Sequence, residues 1–178
     1  MKATGIVRRI DDLGRVVIPK EIRRTMRIRE GDPLEIFTDR DGEVIFKKYS
    51  PIGELSDFAA QICDSLHRST DAIAAVCDRD SIIAVSGASK RDFIDKRVSP
   101  ALERIMESRG SIRYDGTEPI HVIDGDERYY VSVASPILSE GDILGCVIFL
   151  SQNASAGSDI EFKLAQTVAS FLGKQMES

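Results

Sequence analysis

The first fifty residues combine several strand-like segments with a length that is too short for an independent core. Segments rich in β-branched and aliphatic residues, separated by turn signals, predict four strands at residues 4–10, 15–18, 34–38 and 44–48. A short helix from Pro19 to about Met26 falls between the second and third strands, because proline suits the first turn of a helix. A domain of about 50 residues buries little surface and usually needs a metal, disulfides or a partner. We therefore expect two copies to interleave their hairpins into an obligate dimer.

The same segment carries a charge opposite to that of the rest of the chain. Residues 1–50 hold twelve of the 24 Lys and Arg residues but only nine of the 29 Asp and Glu residues, a net charge of +3. The remaining residues have a net charge of −8. A basic unit joined to an acidic body is the electrostatic pattern of a nucleic-acid-binding module attached to a second domain. The sequence thus predicts an α+β protein with domains at residues 1–50 and 51–178.

The core of the basic segment is the run Leu13-Gly-Arg-Val-Val-Ile-Pro19, followed by the pair Arg23-Arg24 and later by Leu34-Glu-Ile36. Together with residues 4–12, these motifs closely resemble the AbrB-type swapped-hairpin DNA-binding domain of bacterial transition-state regulators. The resemblance covers residues 1 to about 50. It implies a dimeric swapped-hairpin β-barrel that binds double-stranded promoter DNA.

Seven basic side chains are the candidate DNA contacts. The resemblance places contacts at Arg8, Arg15, Arg23 and Arg24, to which we add Arg9, Lys20 and Lys2. A planar guanidinium group can bond a phosphate or a guanine edge through two N–H groups, and a two-fold dimer presents each residue twice. The alternative interpretation, that these side chains only solvate the surface, is strongest for Lys2, Arg9 and Lys20. Lys47 and Lys48 are interpreted as charged residues that keep an edge strand from pairing with the strand of another molecule.

No helix in the basic segment has the pattern of a helix-turn-helix recognition helix. The resembled family is described as reading DNA through adaptable loops and duplex deformability, which implies indirect readout by a sequence-tolerant regulator. Binding should weaken with salt, because each neutralised phosphate releases counterions. With its second domain, the chain resembles transcription regulators of spore-forming bacteria, which implies a role in sporulation; whether it is an activator or a repressor at each promoter stays open.

Residues 51–178 predict a second α+β domain with a helix at each end. Apolar residues recur at intervals of three and four from Ile52 to Leu66, and a capping box at Ser158 begins the last helix. One apolar face of that helix contains Ile160, Leu164, Val168, Phe171 and Leu172. Between these helices we expect a helix capped by Ser99 and closed by Gly110, and strands at residues 72–77, 81–85, 119–123, 128–138 and 143–151. Both terminal helices could lie on the same side of this mostly antiparallel sheet.

This order of elements resembles the GAF domain, the small-molecule sensing fold of many bacterial regulators. The resemblance rests on architecture over residues 52–178. It implies an α/β sandwich that senses an unidentified small-molecule effector, builds the oligomer, or does both. The small residues Ser86, Gly87 and Ser89 are candidates for a ligand-lining loop, with a plain loop as the alternative. The amphipathic terminal helices could join two dimers into a homotetramer.

The sequence does not support a catalytic function, because it contains no complete nucleophile motif, phosphate-binding motif or metal-binding motif. We expect no cofactor, no metal and no catalytic residue. Cys63, Cys77 and Cys146 fit no zinc or disulfide pattern, so they are interpreted as buried apolar residues in a reducing cytoplasm. No apolar run is long enough to span a membrane. Two alternatives stay open: an antitoxin, since related swapped-hairpin domains occur in toxin–antitoxin pairs, and an enzyme acting through the second domain.

Overall fold

The computed structural model describes residues 5–177 and divides into two compact units, one ending at Tyr49 and one beginning at Ser50. The elements of the first unit are helix α1 and the antiparallel strands β1 and β2, with the bounds Lys20–Met26, Leu34–Thr38 and Val44–Lys48. The hairpin turns at residues 39–43, where Gly42 has a φ of 86°. The predicted short helix and the predicted hairpin are both confirmed.

The predicted strands at residues 4–10 and 15–18 are not strands in the structure, and Thr4 lies outside the described residues. A tight turn does join the two segments, because the N–H of Asp11 donates to the carbonyl of Arg15 at 3.0 Å. Among residues 5–177 of a single copy, no neighbouring strand pairs with these segments, and ladder hydrogen bonds need such a neighbour. The prediction of strands here thus depends on interleaving with a second copy.

The first unit has almost no interior. Among residues 5–49, Pro19 alone is buried. Large apolar side chains stay in water, most of all Val7 at 93%, Ile10 at 71% and Leu13 at 70% exposure. Apolar burial contributes about 25 cal/mol per Å² to folding. A unit that leaves these side chains exposed lacks most of that contribution.

The second unit is a five-stranded antiparallel sheet flanked by helices. Its strands are β3 (Ile73–Asp78), β4 (Ile82–Ser86), β5 (Ile112–Arg113), β6 (Tyr130–Ser139) and β7 (Asp142–Ser151). Their spatial order is β4-β3-β7-β6-β5. A 3-10 turn at Ile52–Leu55 leads into the helices, which are α2 (Ser56–Thr70), α3 (Lys90–Phe93), α4 (Pro100–Ser108) and α5 (Asp159–Gln175).

Both faces of this sheet are packed. Helices α2 and α5 cover one face, where Ala59 and Ala165 lie in the same apolar cluster. Helices α3 and α4 cover the other face through Phe93 and Leu102. Successive strand residues point to opposite faces, so each long strand contributes to both clusters. The prediction that both terminal helices lie on the same side of the sheet is confirmed.

Two local predictions in this unit are wrong. Residues 119–123 form isolated bridges rather than a strand. The hydroxyl of Ser99 donates to the carbonyl of His121 at 2.6 Å. This segment thus forms a hydrogen bond with the N-cap residue of α4 and does not form a continuous ladder with a neighbouring strand. The predicted cap itself is confirmed, since Ser99 Oγ accepts the N–H of Leu102 at 3.0 Å. Helix α4 is closed by Arg109, which has a left-handed φ of 64°, and not by Gly110.

The apolar residues of α5 lie in two stripes. The stripe that faces the sheet consists of Ala165, Ala169, Leu172 and Gly173. Of the face predicted from the sequence, only Leu172 is buried, whereas Ile160 is 67% and Phe171 is 46% exposed. Small residues face the sheet because the helix approaches it closely: a Cβ added at Gly173 would lie 2.1 Å from the carbonyl oxygen of Leu138. Ile160 and Phe171 are therefore left exposed, whereas Leu164 and Val168 are half-buried and pack against the cluster that faces the sheet.

Candidate nucleic-acid interface

The basic residues predicted to contact DNA are exposed wherever the structure describes them. Lys2 lies outside the described residues. The others belong to an extended segment, a turn and a helix, and comprise Arg8, Arg9, Arg15, Lys20, Arg23 and Arg24. Within residues 5–177, Arg15 is the one member of this set with an ion pair. Most of these charges are thus open to solvent.

The turn at residues 11–15 is organised by the carboxylate of Asp11. Its Oδ1 accepts the backbone N–H of Leu13 at 3.0 Å and that of Arg15 at 2.8 Å. Its Oδ2 accepts the Nε–H of Arg15 at 2.8 Å. The backbone N–H of Arg15, and next its guanidinium, hold the pKa of Asp11 below the ordinary value. The side chain of Arg15 is nevertheless 71% exposed, so the ion pair fixes one edge of the guanidinium and leaves the rest in solvent.

Arg23 is also held through its Nε. The Nε–H donates to the carbonyl of Ile18 at 3.1 Å, which ties α1 to the segment before it. The helix begins after Pro19 and ends at Arg27, whose φ of 53° is left-handed. Within residues 5–177, the Nη nitrogens of Arg15 and Arg23 have no hydrogen-bond partner. Both guanidinium groups therefore keep two N–H-bearing nitrogens for an external acceptor.

Lys48 has a structural role that the sequence interpretation missed. Its Nζ donates to the carbonyl of Arg27 at 2.8 Å and lies 3.9 Å from the carboxylate of Asp32. That carboxylate is 7% exposed and also accepts the backbone N–H of Arg29 at 2.8 Å. Strand β2 thereby closes the C-terminal end of α1, where a cation is favourable. The interpretation of Lys48 as a residue that protects an edge strand did not include this role, because no local pattern connects a strand lysine with a helix end 21 residues earlier.

The predicted ligand-lining residues follow β4. Gly87 packs against the ring of His67, and a Cβ added to it would lie 2.6 Å from the ring Nδ1. Ser89 directly precedes α3. A cleft of about 450 Å³ opens beside β4 and α2, but Ser86, Gly87 and Ser89 do not line it. Ligand binding by this loop stays a prediction.

Helices α2 and α5 present a further surface, which we name the outer apolar stripe. It consists of Phe58, Ile160, Leu164, Val168 and Phe171. The rings of Phe58 and Phe171 pack against each other across the two helices, with centroids 6.1 Å apart. Ile160, Phe58 and Phe171 remain exposed. Grouped apolar side chains of this kind are typical of an interaction surface.

Relatives of known description match the whole chain. The family described as stage V sporulation protein T C-terminal, transcription factor, matches residues 54–177. The stage V sporulation protein T of Bacillus subtilis (strain 168) is 54% identical over 178 residues, covering 99% of this chain and 99% of that protein. The chain belongs to the stage V sporulation protein T family. The description of the family confirms the prediction of a transcription regulator.

The first unit of this stage V sporulation protein T family member has relatives of its own. The transition state regulatory protein AbrB of Bacillus subtilis (strain 168) is 57% identical over 63 residues, which cover 32% of this chain and 65% of AbrB. The family described as antidote-toxin recognition MazE, bacterial antitoxin, matches residues 7–53. The predicted resemblance of the first unit to AbrB is confirmed.

The second unit has the fold of a GAF domain. The GAF domain of an Acinetobacter phosphoenolpyruvate-protein phosphotransferase matches it with a TM-score of 0.57 at 10% identity, covering 68% of this chain and 81% of that domain. At this identity the likeness shows the fold alone. The predicted GAF-like α/β sandwich is confirmed, and its ligand is not addressed by the match.

The remaining chemical features of this family member concern thiols, metals and membranes. Cys63, Cys77 and Cys146 are free and buried, as predicted, and burial raises the pKa of Cys63 to about 12. Among residues 5–177, no group of three or more His, Cys, Asp and Glu side chains could hold a metal ion. The helices found in that same range are too short or too polar to cross a membrane.

Proposed function

We propose that the chain is a sequence-tolerant regulator of sporulation-type gene expression that binds double-stranded promoter DNA through the arginines of its first unit. The proposed contact residues are Arg8, Arg9, Arg15, Lys20, Arg23 and Arg24, together with Lys2. The single observation that carries this proposal is the exposure of every described member of the set. Cations that make few internal contacts are available to neutralise phosphates, which dominate affinity for DNA.

A homodimer through the first unit, residues 1–50, is part of the proposal. Val7, Ile10 and Leu13 are exposed in a unit whose described part buries only Pro19. Interleaving with a second copy would bury these side chains and supply the missing core. Each arginine then occurs twice on the dimer surface, and the summed positive potential attracts the duplex.

The experiment replaces both Arg15 and Arg23 by Ala in the full-length protein. The probe is a duplex that the unmodified protein selects from a random-sequence library, and affinity is measured by fluorescence anisotropy over a range of salt concentrations. We expect the double variant to bind the duplex much more weakly than the unmodified protein at low salt. Its plot of log affinity against log salt should flatten by about 0.9 for each phosphate that is no longer neutralised.

Arg40→Ala is the matched control, because Arg40 is an exposed arginine in the turn at residues 39–43 and is not a proposed contact. It should leave the affinity close to that of the unmodified protein. Sedimentation velocity should show that both proteins keep the same oligomeric state. Unchanged binding in the double variant, or an equal loss in Arg40→Ala, would contradict the assignment of these arginines as contacts.

The outer apolar stripe is proposed to join two dimers into a homotetramer through residues 51–178. The paired rings of Phe58 and Phe171 support this, because they extend the stripe across two helices. Two DNA-binding units carried by one tetramer gain avidity, since the second unit binds at a high effective concentration. The same unit could take an unidentified small-molecule effector, for which Ser86, Gly87 and Ser89 are the sequence-based candidates.

The two alternative functions are less well supported. The antitoxin match ends at residue 53, and residues 54–177 match a domain described as a transcription factor. Co-purification with a small toxin would favour the antitoxin. The family description likewise supports a regulator without catalytic activity, and turnover of a metabolite by the full chain would favour an enzyme. A regulator that acts on bacterial promoter DNA would work in the cytoplasm.

A further inference from the structure

Two turns of the first unit are built on the same framework. In the turn at residues 11–15, Oδ1 of Asp11 accepts the backbone N–H groups two and four residues ahead, at 3.0 and 2.8 Å. In the turn at residues 39–43, Oδ1 of Asp39 accepts the corresponding N–H groups at 3.0 and 2.9 Å. The fourth position of each turn is a glycine with a positive φ, 76° at Gly14 and 86° at Gly42.

The two turns differ at the fifth position, which is Arg15 in one and Glu43 in the other. In the first turn a cationic side chain returns to the second carboxylate oxygen, where the Nε–H of Arg15 donates to Oδ2 of Asp11 at 2.8 Å, whereas the fifth residue of the second turn carries a carboxyl group. Because the turn at Asp39 forms the same backbone without an arginine, the contact between Asp11 and Arg15 is not needed to make the turn. What it does fix is the direction of the guanidinium group.

We propose that Asp11 is a positioning residue for DNA binding, which holds Arg15 by its Nε so that the two Nη groups face the duplex. This inference rests on the proposed function, in which Arg15 contacts DNA. A guanidinium held at one edge loses less conformational freedom on binding, and its Nη pair can bond a phosphate or the O6 and N7 of guanine. A carboxylate at this place also repels phosphates that approach in other orientations. Asp11 therefore favours discrimination between duplexes at the expense of affinity for any one of them.

The test compares full-length Asp11→Asn with the unmodified protein and with Asp39→Asn. The probes are the duplex selected by the unmodified protein and a scrambled duplex of the same base composition. Asparagine can keep the Oδ1 acceptor for the two backbone N–H groups, but its amide nitrogen cannot accept the Nε–H of Arg15. In Asp11→Asn we expect the ratio of the two affinities to fall by roughly 3- to 10-fold, which is at or below the lower end of the roughly 5- to 160-fold loss expected when a whole bidentate contact is removed, because Arg15 itself stays in place. Affinity for the scrambled duplex should rise at low salt, because one negative charge per subunit is removed.

Asp39→Asn removes the same charge from the same kind of turn, and it should leave the affinity ratio unchanged. If Asp11→Asn raises both affinities equally, Asp11 is only a repulsive charge and the positioning role is overturned. If Asp11→Asn behaves like Asp39→Asn, Asp11 only shapes the turn and the inference is overturned as well. In a background of Arg15→Ala, Asp11→Asn should have no further effect on the ratio.

Arg15→Ala by itself separates this inference from the function on which it rests. Retained affinity in Arg15→Ala would remove Arg15 from the DNA contacts and with it the basis of the proposal. Weakened binding by Arg15→Ala, together with an unchanged ratio in Asp11→Asn, would leave the DNA contact standing and reject only the positioning by Asp11.

Discussion

At the scale of single residues, Asp11 and Asp39 are carboxylates in matching turns whose fifth residues differ, Arg15 in one turn and Glu43 in the other. The backbone N–H of Arg15, and next its side chain, lower the pKa of Asp11, whereas the backbone N–H of Glu43 is the main cause that lowers the pKa of Asp39. We expect Arg15→Ala to raise the pKa of Asp11 part of the way to its ordinary value, because the backbone donors remain. The pKa of Asp39 should not change. The pKa values of both carboxyl groups are measured from their carboxyl carbon chemical shifts as a function of pH. An unchanged pKa of Asp11 in Arg15→Ala would show that the ion pair is absent in solution.

The direction of the pH dependence follows from these lowered pKa values. Hydrogen bonds to a charged carboxylate stabilise the turn above the pKa that the group has in the unfolded chain, and this stabilisation is lost as the pH falls through the lower, folded value. Acid therefore releases Arg15 from Asp11 and loosens both turns. At neutral pH both turns keep their full set of hydrogen bonds.

At the scale of elements, the packing of α5 on β6 depends on the absence of a side chain at Gly173. A Cβ there would lie 2.1 Å from the carbonyl oxygen of Leu138, which is backbone and cannot rotate away. Gly173→Ala should therefore destabilise the protein by about 1–3 kcal/mol, despite the better helix propensity of alanine. Urea unfolding measures the change in the free energy of unfolding.

Gly110→Ala is the control for this substitution. No atom lies within 4 Å of the position that its Cβ would take. It should be neutral, or stabilising by about 0.5 kcal/mol through the lower entropy of the unfolded chain. Equal effects of the two substitutions would show that α5 does not approach β6 as closely as described.

At the scale of the whole molecule, the outer apolar stripe decides the oligomeric state that we propose. Phe171→Glu places a charge among the apolar side chains of the stripe, and a buried unpaired charge opposes association. We expect sedimentation velocity to show a tetramer for the unmodified full-length protein and a dimer for Phe171→Glu. Ser170→Glu adds the same charge to an exposed neighbouring position of α5 and should remain a tetramer.

Three results would contradict this assembly. A dimeric unmodified protein would exclude the tetramer. A tetrameric Phe171→Glu would place the tetramer contact elsewhere than on the stripe. Dissociation of Ser170→Glu to the same extent would mean that added charge, and not removal of an apolar side chain, separates the subunits.

Part of the candidate site is predictable from the sequence because its signals are local. The Arg23-Arg24 pair lies on a short helix whose start is predicted from Pro19, and the hairpin of β1 and β2 is predicted from its turn residues. The role of Asp11 was not predicted beyond a turn, although the matching Asp and Gly spacing at residues 11–14 and 39–42 is visible in the sequence. The spacing of Asp and Gly shows that the two turns are alike, but only the three-dimensional structure shows that the Arg15 side chain donates to the carboxylate of Asp11.

Sequence alone determined the basic first unit, the arginines it carries, the hairpin at residues 34–48, the capped helices and the GAF-like order of elements, because each depends on neighbouring residues or on overall composition. Tertiary structure alone decided which stripe of α5 faces the sheet, that Lys48 closes α1, and that residues 119–123 serve a helix cap. These outcomes depend on how closely distant backbones approach and on which distant polar groups need a partner. Periodicity along one chain does not encode such contacts.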